Sequence, residues 1–297
     1  MDFITSLKEI DRLKVKINEP ISKHTTLGVG GKALFFLSPT TLKSLNLAIT
    51  LLKKYKIDYK IIGNGSNLLF CDDGFDGALI SLKALSDVYI DKGLVVSMSG
   101  APISKLIFYV NSLGKTGIEG LAGIPATVGG AVCMNAGAFG YSISDYIVNV
   151  RTLKNGKIKV YDKENCNFSY RKSLFNKRKE IIVSATFNFP NGEMKTGKRL
   201  STDFTEIRKI AQPSGRTCGS VFKNPQGTYA GALIESAGLK GCFVGGAKIS
   251  NVHANFIEAG ENCTANDVYN LIQNVKQSVN NAFGILLEEE IEYVGEF

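Results

Sequence analysis

The sequence predicts an α+β protein with at least two packed units. Stretches with apolar residues three and four positions apart, typical of helices, alternate along the chain with short apolar runs typical of strands. The length of 297 residues exceeds what one hydrophobic core usually serves. A polar segment at residues 191–215 is expected to connect two parts of the chain.

The first part of the chain predicts two helices and three strands. Ser38 and Pro39 have the pattern of an N-cap followed by proline at the first helical position, and apolar residues recur at helical spacing from Leu42 to Tyr55. A second helix is predicted from Pro102 to Leu113, ended by Gly114. The predicted strands are residues 56–62, 68–70 and 93–98.

Residues 114–140 differ from the rest because they contain eight glycines and little charge. Such segments form tight loops or bring the backbone close to a ligand. Short strands with charged turns are predicted over residues 147–190, and a second glycine-rich segment covers residues 215–246.

The end of the chain predicts one long helix and a final strand. Thr264 and Asp267 have the spacing of a capping box, which would open an amphipathic helix that ends at Gly284. A strand is predicted from residue 285 to residue 294.

The net charge of +8 permits an anionic partner without specifying one. The basic residues are spread out, so nucleic acid, an anionic membrane surface and phosphorylated small molecules stay open at this point. The first eleven residues lack the apolar stretch of a secretion signal, and no run of roughly 18 apolar residues occurs. We therefore expect a cytoplasmic protein with no membrane span.

The cysteines are scattered and form no CxxC pair, and only two histidines occur. This pattern predicts reduced thiols and no metal site. The cysteines are Cys71, Cys133, Cys166, Cys218, Cys242 and Cys263.

Three common nucleotide and hydrolase motifs are incomplete or missing. The glycine pairs near residues 28 and 63 do not complete GxGxxG, because Ala33 and Leu68 occupy the sixth positions. Gly114-Lys115-Thr116 lacks the first glycine of a P-loop, since that position is Tyr109. No GxSxG elbow occurs. These absences argue against a Rossmann dehydrogenase, a P-loop NTPase and an α/β-hydrolase.

Two glycine-rich loops are the candidate ligand-binding segments. Residues 63–67 follow a predicted strand, and their backbone N–H groups can form a nest for an anion, although a plain hairpin turn explains the same residues. Residues 124–131 and 135–140 gather small side chains. A bulky flat ligand with a diphosphate needs such clearance.

The two loops, GNGSNLL at residues 63–69 and GLAGIPATVGGAVCMNAGAFG at residues 120–140, resemble the FAD-binding domain of the vanillyl-alcohol-oxidase type. Within that superfamily the chain is similar to the UDP-N-acetylenolpyruvoylglucosamine reductases. Four further blocks occur in that family's order, namely TTLGVGG at 25–31, YRKSLF at 170–175, CGSVFKNP at 218–225 and LEEEI at 287–291. The short spacing between Arg171 and Ser220 resembles the family's shorter type.

The resemblance implies a two-part FAD-binding domain followed by an α+β substrate-binding domain. The expected boundaries are 1–79 and 80–195 for the two FAD subdomains, 196–285 for the substrate domain, and 286–297 for a strand that returns to the FAD domain. FAD is expected to be noncovalent, because neither His24 nor His253 lies in the two loops. Both histidines are expected to be structural.

The resemblance also implies a reaction and partners. NADPH would reduce FAD, and the reduced flavin would pass a hydride to UDP-N-acetylglucosamine enolpyruvate, giving UDP-N-acetylmuramate for peptidoglycan synthesis. The expected protein is a monomer without a nucleic-acid or membrane partner.

The family motifs assign roles to individual residues. Arg171 and Glu290 would polarise the substrate carboxylate, and Ser220 would donate a proton. Glu290 is preferred over its neighbours because it directly precedes Ile291, as in the family motif. The implied FAD-binding residues are Gly63, Asn64, Gly65, Ser66, Asn67, Gly123, Ile124, Pro125, Thr127, Gly129, Gly130, Ala131, Asn135, Gly137, Ala138 and Gly140. The implied substrate-binding residues are Tyr170, Lys223, Asn224 and Asn255.

Two alternatives stay open. An FAD-dependent sugar or alcohol oxidase of the same superfamily would share the flavin loops but not the YRKSLF and GSVFKNP blocks. A basic nucleic-acid-binding protein is compatible with the charge, yet the sequence contains no recognised motif for it.

Overall fold

The computed structural model describes residues 2–176, 178 and 180–297. The helices in this part of the chain are α1 Phe3–Lys8, α2 Leu42–Lys54, α3 Ile103–Ser112, α4 Val128–Met134, α5 Met194–Ala211, α6 Ala230–Ser236 and α7 Ala265–Phe283. None of these described helices is both long enough and apolar enough to cross a membrane.

The strands are short and distributed over the whole chain. They are β1 Leu13–Pro20, β2 Lys32–Pro39, β3 Tyr59–Ile62, β4 Leu68–Phe70, β5 Phe75–Ser81, β6 Val88–Asp91, β7 Leu94–Met98, β8 Gly137–Ala138, β9 Tyr141–Ser142, β10 Ile147–Lys154, β11 Lys157–Asp162, β12 Ile181–Phe187, β13 Thr217–Ser220, β14 Phe243–Val244, β15 Ala247–Ile249, β16 Phe256–Ala259 and β17 Glu292–Val294. Together with the helices they make a mixed α+β fold, which confirms the predicted class.

The chain divides into two compact units. Unit 1 comprises Met1–Ile17, Phe35–Asn64 and Gly77–Ile207, and unit 2 comprises Asn18–Leu34, Gly65–Asp76 and Arg208–Phe297. The four domain ranges expected from the sequence stay predictions.

Unit 1 holds most of a four-stranded sheet, in the order β1-β2-β5-β3, and a five-stranded antiparallel sheet in the order β11-β10-β12-β7-β6. Helices α3 and α4 contribute to the hydrophobic core beside the five-stranded sheet, with Leu106, Val128 and Phe187 fully buried. Burial of these side chains is the main force that holds α4 and its flanking loops in place.

Unit 2 is built on a four-stranded antiparallel sheet in the order β13-β16-β15-β14. The apolar stripe of α7, which includes Val268, Ile272 and Val275, is buried in the same core as Phe222 from the segment after β13. The last strand, β17, pairs in parallel with β4. Both of these strands belong to unit 2.

Several predicted elements are confirmed. Strands β3, β4 and β7 lie within the predicted ranges, and α3 ends before Gly114, which has a φ of 64°. Helix α7 begins with the predicted capping box of Thr264 and Asp267 and ends at Gly284, which has a φ of 68°. These patterns were decisive because local hydrogen bonds fix a helix end regardless of its tertiary surroundings.

The predicted start of the first of these helices, observed as α2, is wrong. Ser38 and Pro39 end strand β2, and Thr41 is the N-cap of α2. The Thr41 hydroxyl accepts a hydrogen bond from the Ser44 N–H, at 3.0 Å, and the Ser44 hydroxyl accepts one from the Thr41 N–H. Proline also suits the end of a strand, so the Ser-Pro pair was ambiguous.

The predicted connector at residues 191–215 is mostly the helix α5. Leu200, Phe204 and Ile207 are spaced four and three apart, which is the helical pattern that the high polarity of the segment concealed. Phe204 stacks on Phe139, with ring centroids 4.8 Å apart.

The predicted strand over residues 285–294 is mostly wrong, because regular pairing covers only Glu292–Val294. The preceding residues run beside the segment that follows β13 instead. The short helix α4, inside the glycine-rich segment, was also not predicted.

Candidate functional site

In unit 1 the two predicted cofactor loops meet. The Asn64 side-chain amide donates a hydrogen bond to the Pro125 carbonyl, at 3.0 Å. A Cβ on Gly63 would lie 2.5 Å from the Thr127 hydroxyl oxygen, so this approach requires glycine. Segments that are 61 residues apart in sequence are therefore joined at one place.

The backbone at the start of α4 is satisfied within the protein. The Gly129 N–H donates to the Ser99 carbonyl at 2.8 Å, and the Ala131 N–H donates to the Thr127 carbonyl at 2.9 Å. The Gly130 N–H donates to the Thr127 hydroxyl at 3.4 Å. Their N–H groups are therefore not available to a ligand, and Gly130, whose added Cβ would have its nearest neighbour at 3.5 Å, offers clearance instead.

Helix α4 ends in the loop that positions Arg171. Asn135, at the C-terminal cap, has a φ of 45°, and its side-chain amide donates to the Ser169 carbonyl at 2.9 Å. Arg171 also has positive φ, 54°, and its Nη1 donates to the Gly137 carbonyl at 3.0 Å. The structure thus brings the predicted catalytic arginine to the end of the predicted cofactor loop.

Ser173 lies in the YRKSLF block, but the sequence motifs predicted no role for it. Its hydroxyl donates to the Cys133 carbonyl at 2.6 Å and so ties the Arg171 segment to α4. Tyr170 is half exposed, and its ring centroid lies 5.3 Å from the Arg171 guanidinium carbon. Ser173 was missed because a hydroxyl has no sequence pattern of its own when its partner is a backbone carbonyl.

The other predicted cofactor residues of unit 1 lie along the same segment. Gly123 and Gly140 are exposed and have a φ of 82° each, and a Cβ on Gly140 would meet nothing within 4 Å. Ile124 is partly buried against the core, and Ala138 pairs with Tyr141 between β8 and β9. The open side of these glycines leaves room for a flat ligand.

In unit 2, the rest of the first loop is fixed by backbone contacts. Gly65 has a φ of 64°, and a Cβ there would lie 2.8 Å from the Thr25 Cα. The Asn67 side-chain amide donates to the Glu290 carbonyl at 2.9 Å. The Asn67 carbonyl accepts from the Glu292 N–H at 3.0 Å. Ser66, between them, is partly exposed.

The predicted proton donor and acid of unit 2 lie on adjacent segments. The Glu290 N–H donates to the carbonyl of Val221, the residue after Ser220, at 2.7 Å. The Lys223 N–H donates to the Glu288 carbonyl at 2.9 Å. The GSVFKNP and LEEEI blocks therefore run side by side, which neither block predicts alone.

The three consecutive glutamates have different surroundings. Glu288 is exposed and pairs with the Lys223 ammonium. The Glu289 carboxylate lies 2.7 Å from Lys276 Nζ, and this ion pair is mostly buried. Glu290 is partly buried. Burial of the Cys218 thiol, with a smaller contribution from the Glu290 charge, raises the pKa of that thiol to about 12. Glu288 and Glu289 are thus committed to ion pairs.

The predicted substrate residues of unit 2 differ in exposure. Asn224 is exposed, and its side-chain oxygen accepts from the Ala230 N–H at 3.1 Å. Asn255 is 4% exposed and bonded to the backbone of Phe222. Burial lowers the pKa of His253, whose Nδ1 accepts from the Asn255 N–H at 3.2 Å. His253 is therefore a neutral histidine that supports the fold.

All six cysteines are free thiols. Among residues 2–176, 178 and 180–297, no three His, Cys, Asp or Glu side chains form a group that could hold a metal.

Comparison with known proteins gives the class first. Residues 33–160 match the family model described as FAD binding domain. The wild-type Phl p 4.0202 structure, a glucose dehydrogenase, has the same fold over 64% of this chain and 44% of its own, with a TM-score of 0.50 and 15% identity. The chain is thus a flavoprotein of the vanillyl-alcohol-oxidase-like fold.

The particular family follows from the second half and from full-length relatives. Residues 211–294 match the model for the UDP-N-acetylenolpyruvoylglucosamine reductase C-terminal domain. The reductase of that name from Anoxybacillus flavithermus is 41% identical over 95% of this chain and 94% of its own. The crystal structure of MurB from Thermus caldophilus has a TM-score of 0.81 and 33% identity, covering 95% of this chain and 98% of its own. The chain belongs to the UDP-N-acetylenolpyruvoylglucosamine reductase family.

The residues of unit 1 fit the FAD that this family's domain binds. Gly63 and Gly129 have neighbours at 2.5 and 2.7 Å from an added Cβ, so the loops could not close around side chains there. Gly123, Gly130 and Gly140 are exposed instead, so no side chain at these positions obstructs a planar ring or a diphosphate.

Proposed function

We propose that this protein reduces UDP-N-acetylglucosamine enolpyruvate to UDP-N-acetylmuramate with NADPH as electron donor, a step of peptidoglycan precursor synthesis. Membership of the reductase family supports the reaction. The single observation that carries the proposal is in the matched C-terminal domain, where the Ser220 and Glu290 motifs are hydrogen-bonded to each other through Val221.

We assign FAD, held without a covalent bond, to the residues from Gly63 to Asn67 and from Gly123 to Gly140 that the family motifs match. When bound, FAD supplies the hydride relay between NADPH and the terminal carbon of the enolpyruvyl double bond. The protein's part is to give clearance through its glycines and to join the two loops by the Asn64–Pro125 hydrogen bond and the close approach of Gly63 to Thr127.

Arg171 is assigned to the substrate carboxylate. A guanidinium stays charged at every relevant pH and can form two parallel hydrogen bonds with a carboxylate. Its bond to the Gly137 carbonyl, and the anchoring of its loop by Asn135 and Ser173, support a fixed orientation. A fixed cation stabilises the negative charge that develops next to that carboxylate during reduction.

Ser220 is assigned as the proton donor to the carbon next to the carboxylate. A serine hydroxyl is a weak acid in water, so its contribution depends on position and on stabilisation of the alkoxide that remains. Water then returns the proton. Glu290 is assigned to polarise the carboxylate, and its backbone bonds to Val221 and Asn67 support a fixed position.

Lys223 and Asn224, in the same block as Ser220, are assigned to the sugar diphosphate, and Tyr170 to either ligand. The net charge of +8 favours such an anionic substrate. The proposal also keeps a cytoplasmic monomer with no nucleic-acid or membrane partner. Sedimentation tests the monomeric state, and a salt-dependent DNA-binding assay tests the absence of a nucleic-acid partner.

An anaerobic absorbance titration tests the function. Purified protein should show flavin bands that bleach with NADPH and return when UDP-N-acetylglucosamine enolpyruvate is added. Bleaching without return would contradict the substrate and favour an oxidase, for which air and an alcohol are the next additions. A preparation that stays colourless with added FAD would contradict the cofactor.

A further inference from the structure

Asn255 is a buried amide whose hydrogen bonds go to the protein backbone. Its Oδ1 accepts from the Phe222 N–H at 2.9 Å, and its Nδ2 donates to the Phe222 carbonyl at 2.8 Å. Its own carbonyl accepts from the Val221 N–H at 2.9 Å. At 4% exposure, the side chain has almost no surface for a ligand.

These bonds continue a β-ladder where the strand itself stops. Strand β13 ends at Ser220, which pairs with Phe256 on β16. Beyond that pair, the Asn255 side chain bonds both polar groups of Phe222, as the peptide group of a neighbouring strand would. The chain therefore stays in register for two residues after Ser220.

The same short segment is bonded from its other side. Val221 and Lys223 bond to Glu290 and Glu288, at 2.7 and 2.9 Å. Ser220 and Lys223 thus flank a two-residue segment held between Asn255 and the glutamate segment. If the Asn255 side-chain amide is lost, the two bonds to Phe222 disappear and only the backbone bond from the Val221 N–H to the Asn255 carbonyl remains on that side.

We propose that Asn255 is a positioning residue that sets the place of the Ser220 hydroxyl and the Lys223 ammonium, rather than a group that binds substrate. This inference rests on the proposed function for its kinetic effect. A displacement of about 1 Å at a reacting group can cost roughly 100-fold in rate, so a remote amide can matter greatly.

The test separates the two half-reactions by stopped-flow absorbance. Asn255→Ala should leave flavin reduction by NADPH within about 2-fold of the parent and slow reoxidation by the enolpyruvyl substrate by about 10- to 100-fold. In a double-mutant cycle, Ser220→Ala with Asn255→Ala should be no slower than Ser220→Ala alone, because both remove the same contribution. Additive losses in the reoxidation rate at saturating substrate would overturn the proposal, whereas weaker substrate binding is expected from a displaced Lys223.

Asn255→Asp adds a readout that a purely structural role would not give. The carboxylate keeps the acceptor for the Phe222 N–H but faces the Phe222 carbonyl without a donor. Lowering the pH protonates it and restores the donor, so its deficit relative to the parent should shrink at lower pH. A deficit that is constant with pH would contradict the role of the donated bond.

Amide hydrogen exchange tests the positioning role of Asn255 even if the proposed substrate is incorrect. Asn255→Ala should speed exchange at Val221 and Phe222, whereas Asn251→Ala, an exposed asparagine of the same loop, should not. Unchanged exchange at these amides would overturn the positioning role, whatever the reaction. A parent enzyme that never reoxidises with the substrate would instead contradict the proposed function.

Discussion

Unit 1 and unit 2 contribute different kinds of groups. The predicted cofactor residues of unit 1 are mostly glycines and small side chains, and the N–H groups at the start of α4 bond to Ser99 and Thr127. Apart from Gly65, the predicted residues of unit 2 are charged or polar side chains, and two of its glutamates form ion pairs with Lys223 and Lys276. We therefore propose that the cofactor loops of unit 1 act by shape and the polar residues of unit 2 by charge, with Arg171 as a charged residue of unit 1.

This difference predicts different sensitivities. A shape-based region fails when atoms are added, because its neighbouring atoms are closely packed and have little room to move aside. A charge-based region fails when a functional group is removed, because nothing else supplies its proton or its field. Substitutions of each kind can therefore test whether the two units divide the work in this way.

The largest effect is expected from Ser220→Ala. Removal of a positioned general acid costs about 10²- to 10⁴-fold in rate, so reoxidation by the enolpyruvyl substrate should slow by that range. Reduction by NADPH should be unaffected, since it needs no proton from Ser220. Rapid-mixing absorbance measures both steps.

The matched control is Ser214→Ala, an exposed serine six residues earlier, which should change neither step. If Ser220→Ala slowed both half-reactions equally, the assignment of Ser220 as proton donor would be wrong.

The next effect is expected from alanine at two adjacent glycines. Gly129→Ala places a Cβ 2.7 Å from the Ser99 Cβ, so the apoprotein should lose stability. At Gly130 the nearest atom to such a Cβ is 3.5 Å away, so Gly130→Ala should leave the apoprotein as stable or about 0.5–1 kcal/mol more stable, since alanine favours a helix.

A measurement of FAD affinity distinguishes an effect on ligand clearance from an effect on protein stability. Gly130→Ala should weaken FAD binding although the apoprotein is intact, as measured by fluorescence titration next to a thermal melt. Unchanged FAD affinity in this variant would show that the exposed face of Gly130 does not contact the cofactor. It would contradict the idea that the glycines of unit 1 act by leaving space for FAD.

The smallest effect is expected from Glu180→Gln, whose buried carboxylate directly precedes strand β12 of unit 1. Burial by itself raises the pKa of the carboxyl, but hydrogen bonds from Tyr161, Lys154 and Thr152 outweigh it and hold the pKa below the ordinary value of 4.5. The stabilisation is therefore present above pH 4.5 and is lost as the pH falls through the lowered native pKa.

At pH 7, Glu180→Gln should cost about 1–3 kcal/mol of unfolding free energy, because it weakens bonds to a fully buried carboxylate. Denaturant unfolding from pH 7 to pH 3 should show this difference shrink as the parent is protonated. Glu164→Gln, at an exposed position, is the control. A loss independent of pH would contradict the role of the charge.

Sequence patterns were reliable where the determining contacts are local. The Thr264 capping box and Gly284 set both ends of α7, alternation over residues 56–62 located β3, and the apolar run at residues 93–98 located β7. They failed where two local structures fit the same residues, as with Ser38-Pro39, or where polarity concealed a helical spacing, as in α5. Propensity is weak compared with the packing that decides between such alternatives.

The sequence by itself determined the family, the α+β class and the motifs with Gly63, Arg171, Ser220 and Glu290, because these depend on residue identity and order. The tertiary structure alone decided which groups meet. It joined Asn64 to Pro125, anchored Arg171 on the α4 loop, and laid the glutamate segment beside Ser220 with Asn255 on the other side. Such contacts link residues up to 223 positions apart, and no local pattern encodes a hydrogen bond over that distance.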